Sequence, residues 1–165
     1  MQNKNLSVEE SLTLAIQNHQ KNNFEVARDL YEKILKISPD HFKVIFLLGT
    51  LSAQTKNFDR AKQLLQKVIQ IQPNNVDAHN NLGLGYSNLF MFEDAVTAHQ
   101  LALKWEPDRA KYHADIGLAY NMLQQFEPAT THFEKALELN LENAAPIHEN
   151  LAAIYEREDD IQQAI

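Results

Sequence analysis

A chain of 165 residues, 44% of them hydrophobic and 22% charged, is long enough to bury a core and too apolar to stay disordered. It has no cysteine, which excludes disulfides and thiolate metal sites, and no apolar run near the ~18 residues of a membrane span. The opening MQNKNLSVEE lacks the apolar centre of a signal peptide, so cytoplasmic residence is expected. A net charge of −7 argues against nucleic acid as a partner; it is also uneven, with 10 basic against 7 acidic residues over 1–75 and 5 against 15 over 76–165.

In chain order, ten helices are expected, over 8–21, 24–37, 42–55, 58–71, 76–89, 92–105, 110–123, 126–139, 145–157 and 160–165. Ser7 and Glu10 have the spacing of a capping box before the first. In the second, Ala27, Tyr31 and Ile34 follow at steps of four and three, which puts them on one face. Ala129, Phe133 and Ala136 repeat that face in the eighth helix, where Pro128 sits in the opening turn and its missing N–H is tolerated. Prolines stand near the ends of the second, fourth and sixth helices, where a residue that cannot continue a helix belongs. Leu141 occupies the corresponding place after the eighth, and one extra residue follows, so the turn around 142–145 is expected to differ.

The elements recur in one frame. Gly49, Gly83 and Gly117 are 34 residues apart, as are Pro39, Pro73 and Pro107. Phe24, Phe58, Phe92 and Phe126 keep the same spacing, and so do Ala27, Ala61, Ala95 and Ala129. This period also explains the stretch NNLGLGY at 80–86, whose two glycines imitate a phosphate-binding loop. Such a loop needs a third glycine where Asn88 stands, and a strand before it; neither is present. Glycine inside a helix costs about 1 kcal/mol relative to alanine, so its repetition points to close approach of paired helices.

Together the Leu-Gly, Tyr, Ala, Phe, Ala and Pro positions resemble the tetratricopeptide repeat family, over nearly everything after Ser7. The resemblance implies an all-α fold, a right-handed α-solenoid of antiparallel helix pairs with about four and a half repeats. A leader over 1–7 would precede repeats over 8–41, 42–75, 76–109, 110–144 and an incomplete 145–165. It also implies that the first helix of each repeat lines a concave groove. Carried onto this chain, the groove positions include Phe46, Leu47, Thr50 and Gln54 in the second repeat, and Asn80, Asn81, Leu84 and Asn88 in the third. The fourth contributes Lys111, Asp115, Leu118, Asn121 and Met122, and the fifth Glu149, Asn150 and Arg157. The first repeat adds Leu12, Ile16 and His19.

Amides pair with both donors and acceptors of an extended peptide, so the expected function is a non-catalytic scaffold holding a peptide or partner protein in the groove. Chaperone-binding members clamp a C-terminal carboxylate. Asn81 and Lys111 match that clamp, but Phe46, Thr50 and Asp115 do not, so this ligand is not expected. Two alternatives stand beside the scaffold. One is the recognition arm of a larger glycosyltransferase or sulfotransferase, suggested by Asn81 and Asn150. The other is self-assembly through the incomplete last repeat, at Ile161 and Ile165.

No catalytic constellation, metal site or cofactor motif is expected. HENLA at 148–152 has alanine where a zinc protease needs its second histidine. His79, His113 and His148 share one repeat position and are expected to pack rather than to ligate. His99 stands where the family has a large aromatic, and Trp105 is expected in the core or a seam.

Overall fold

The computed structural model describes residues 6–163, with side chains from Leu6 to Arg157. Nine α-helices and no strand occur among the described residues: α1 (Val8–Gln20), α2 (Phe24–Ile37), α3 (Phe42–Gln54), α4 (Phe58–Ile71), α5 (Val76–Asn88), α6 (Phe92–Leu103), α7 (Ala110–Met122), α8 (Phe126–Glu138) and α9 (Ala145–Gln163). The chain forms two compact units, residues 1–85 and 86–165, with the boundary inside α5.

In the first unit α1 begins as its sequence predicts. Ser7 Oγ accepts from the Glu10 N–H, and Glu10 returns the bond to the Ser7 N–H at 2.8 Å. The buried face of α2, Ala27, Tyr31 and Ile34, packs with Ala15 of α1 and with Val44, Leu48 and Leu51 of α3. Gly49 lets α3 meet α4 closely: a methyl group there would lie 3.1 Å from Leu65. In the second unit Ala95 and Val96 of α6 pack on Ile116 and Ala119 of α7. The α8 face of Ala129, Phe133 and Ala136 is closed by Ile147, Leu151 and Ile154 of α9.

The reversals from first to second helix share one geometry. Asn22, Lys56, Phe90 and Gln124 each adopt a φ near +60°. After α1 the Asn22 N–H bonds to His19 O and the Asn23 N–H to Asn18 O, the two bonds of a Schellman motif. The same pair of bonds closes the turns after α3, α5 and α7. None of these residues is glycine, although the left-handed region costs a side chain about 1 kcal/mol or more; packing of the returning helix imposes the turn.

One expectation about the C-terminal hairpin holds and another fails. The turn after α8, which lacks proline, is indeed different: Asn140 takes the left-handed conformation with φ 57°, and Leu141 donates back to Ala136 O at 3.3 Å. Leu141 then packs on the α8–α9 core, the hydrophobic contact typical of that motif. The expected break between a ninth and a tenth helix does not occur, since α9 runs unbroken through residues 158–160. Glu158, Asp159 and Asp160 contain no backbone breaker, and the phenylalanine that starts each earlier returning helix is replaced by Ile161. Ile161 and Ile165, expected to mediate self-association, fall outside the residues whose side chains are described.

Trp105 is also placed differently from expectation. It lies just past the end of α6 and is 59% exposed, as is Ile37, 70%, in the matching slot of α2. Ile71, in the matching slot of α4, is exposed too, whereas Leu139 after α8 is half-buried.

Candidate protein-binding face

In the first unit, the expected groove residues lie on α3 and α5, where several already serve as links between helices. His19 of α1 donates from Nε2 to Gln54 Oε1 at 2.7 Å. Its other ring nitrogen, Nδ1, therefore accepts from the Tyr31 hydroxyl at 3.3 Å. Burial pushes that phenol up to about 12, so it stays a donor. Thr50 of α3 accepts from Asn81 Nδ2 of α5 at 3.2 Å while donating to Phe46 O. The structure thus brings Thr50 and Asn81 together, and Gln54 to His19. Leu47 packs against the core of this unit, Phe46 is half-buried, and the buried Asn80 Oδ1 accepts no hydrogen bond among the described residues.

In the second unit Lys111, Asp115, Leu118 and Met122 follow at steps of four, three and four, which makes them one stripe along α7. Lys111 is exposed, Leu118 is 39% exposed and Met122 57% exposed, so the stripe ends in uncovered apolar surface. Asn121 donates to Asn150 Oδ1 of α9 at 2.7 Å, and Asn150 donates in turn to Pro146 O at 2.7 Å. Asn121 also borders a recess of about 190 Å³ lined by Phe126, Ala153, Ile154 and Arg157. The Arg157 guanidinium lies over the Phe126 ring, 5.2 Å from its centre, a cation–π contact. Asn88 is exposed at the end of α5.

The electrostatics of this unit centre on Lys111. Asp115 Oδ2 is buried without a hydrogen-bond partner among the described residues; burial raises its carboxyl to about 6 and Lys111 opposes the rise. His99, fully buried and stacked on Tyr112 at 6.4 Å, is lowered to about 4, by burial first and Lys111 second. It fills the aromatic slot as a neutral ring. The two groups act oppositely on stability. Folded Asp115 holds its proton to higher pH than the unfolded chain, so its contribution is full below about pH 4 and is lost as pH rises through about 6. Folded His99 gives its proton up sooner, so its contribution is present above the unfolded value of 6.5 and is lost as pH falls through about 4.

Asp115→Asn is therefore expected to stabilise the chain by about 1 kcal/mol at pH 7.5, after discounting for residual solvent screening. Urea unfolding at pH 7.5, 5.5 and 4 should show that advantage shrinking with acidification. A difference that stays constant with pH would contradict the assignment.

The histidines at the shared repeat position do something that sequence reasoning missed. His79 donates from Nε2 to Pro73 O at 2.8 Å, and His113 from Nε2 to Pro107 O at 3.1 Å. Each ring ties the start of a first helix to the proline six residues before it. The constant histidine–proline separation in the sequence was the available signal. His148 has Glu142 six residues before it and is exposed, so it does not pack as expected. Among the described residues no three His, Cys, Asp or Glu side chains gather as a metal site, and no helix is long and apolar enough to cross a membrane.

Family models described as tetratricopeptide repeat match residues 19–83 and 110–143. Among solved structures, MamA AMB-1 is 31% identical, with 84% of this chain covering 76% of that one at a TM-score of 0.78. MamA MSR-1 is likewise 31% identical, with 85% and 80% coverage and a TM-score of 0.79. MamA 41-end from Desulfovibrio magneticus RS-1 is 26% identical, with 83% and 77% coverage and the same score of 0.79. No curated protein matches the sequence. With its helical hairpins, its 34-residue period and these matches, the chain belongs to the tetratricopeptide repeat family.

Proposed function

We propose that this chain is a non-catalytic interaction module whose first helices bind an extended segment of a partner protein. The observation that carries the proposal is the α7 stripe, in which Lys111 and Asp115 lead into Leu118 and Met122, two apolar side chains left uncovered one turn apart. Exposed apolar surface rimmed by polar groups is the usual mark of a protein-binding site, and methionine adapts to varied partner side chains. Phe46 and Leu84 of the first unit are half-buried and supply the equivalent contact there.

The linked amides give this reading a refinement. Asn81 and Asn121 spend a donor on Thr50 and Asn150, which fixes their orientation before a partner arrives. Pre-oriented side chains lose less freedom on binding. Asp115 favours a segment carrying a donor, an amide or a cation, at the matching place.

Selection from a library of immobilised peptides tests the assignment. Peptides that bind the parent chain are expected to lose at least tenfold in affinity, about 1.4 kcal/mol, to Leu118→Ser combined with Met122→Ser. Val26→Ser, which changes an exposed apolar residue of the second helix α2, should leave binding intact. Sensitivity to Val26→Ser alone would place the binding face on the second helices instead.

A further inference from the structure

We propose that His113 and His132 form an exchangeable two-imidazole site for a divalent transition-metal ion in the second unit. His113 stands on α7 and His132 on α8, and their Nδ1 atoms are 3.1 Å apart. Ring centres are 5.2 Å apart with planes 33° from parallel, so the two nitrogens face each other.

The hydrogen-bond pattern fixes which nitrogen is free to ligate. A carbonyl can only accept, so the Pro107 contact places the His113 proton on Nε2 and leaves a lone pair on Nδ1. The proton between the rings then belongs to His132 Nδ1. A backbone carbonyl holding the far nitrogen is the arrangement that orients ligating histidines in metal sites. An ion replaces the shared proton if that proton moves to His132 Nε2, a change of tautomer that leaves both rings neutral and releases no proton overall.

The dimensions suit such an exchange. Nitrogen–metal bonds of about 2.05 Å across this gap give an angle of ~98°, between square and tetrahedral, with ring centres ~4.8 Å apart. The rings need to close by a few tenths of an ångström. Tyr120 lies against His132 at 5.8 Å, its ring tilted by 34°, and accepts from Gln100 Nε2 at 3.4 Å, so it backs one side of the pair. The surplus of acidic over basic residues in 76–165 favours a cation. With only two protein ligands, the remaining positions are open to water or to a partner's side chain. The ion is thus exchangeable, and imidazole selects copper, nickel or zinc, with copper(II) held tightest.

Calorimetric titration of the untagged chain with copper(II), nickel(II) and zinc chlorides at pH 7.5 tests this. One equivalent per chain is expected, with copper tightest and a rise in melting temperature for each ion. His113→Gln and His132→Gln should each weaken binding at least tenfold, whereas His148→Gln should not. If either variant is poorly folded, zinc-induced nitrogen-15 shifts in the parent chain decide the matter, because both Nδ1 resonances must move together. No binding at millimolar copper, or binding that persists in both variants, or zinc shifts confined to other histidines, overturns the site.

Discussion

Phe133→Ala is expected to remove about 3–5 kcal/mol of stability. Phe133 is fully buried on α8, among Ala114, Ala129, Ala136, Ile147, Leu151 and Ile154. Three of those neighbours are alanines, whose side chains have no reach with which to refill the space. The helix backbones would have to move to close the hole, and the turns at Gln124 and Asn140 tie both ends of α8. A cavity that cannot collapse carries the full penalty. Denaturant unfolding followed by amide exchange in α7 and α8 measures the loss. A change below about 1 kcal/mol would mean that the seam repacks and that the ring is not its keystone.

Gly117→Ala is the converse experiment, adding one carbon where that ring already sits. A methyl group at Gly117 would meet Phe133 Cδ1 at 2.5 Å and Cε1 at 2.6 Å, distances that force the ring or the helix to shift. Overpacking of this severity costs up to about 3 kcal/mol, and the helix gains about 1 kcal/mol from replacing glycine. The expected net loss is about 2 kcal/mol. Gly85→Ala provides the opposite sign, because a methyl group there meets nothing within 4 Å and only the gain of about 1 kcal/mol remains. Equal melting curves for the two variants would refute the close-approach account. In a Phe133→Leu background the Gly117→Ala penalty should shrink, since the two residues share one contact.

The hairpins were legible because their signals are local and repeated. Ala27, Tyr31 and Ile34 had to share a face by helical spacing alone, and all three are buried. Gly49 and Gly117 stand at positions of close approach, and the 34-residue period alone marks both. What the spacing could not convey was distance between helices. Gln54, Asn81 and Asn121 are groove positions by their place in the repeat, yet each already has a partner on another helix. Nor does histidine recur at the place of His132, where the other repeats hold Leu30, Leu64 and Ala98, so its meeting with His113 had no signature in the chain. Trp105 misled for a different reason: its slot was assigned by hydrophobicity, whereas Ile37 in the matching slot, still inside α2, is exposed as well. The continuity of α9 was hidden because the earlier reversals depend on packing of the helix that follows rather than on a breaking residue.

The cross-helix links have a consequence for how the chain orders itself. His19 and Gln54 are 35 residues apart, Thr50 and Asn81 are 31, and Asn121 and Asn150 are 29. No such partner lies far along the polymer, so little loop entropy opposes any one encounter. Repeats that touch only their neighbours can begin to assemble at whichever hairpin nucleates first. Harm done at one position should then spread no further than its neighbours, and the protein should come apart by instalments.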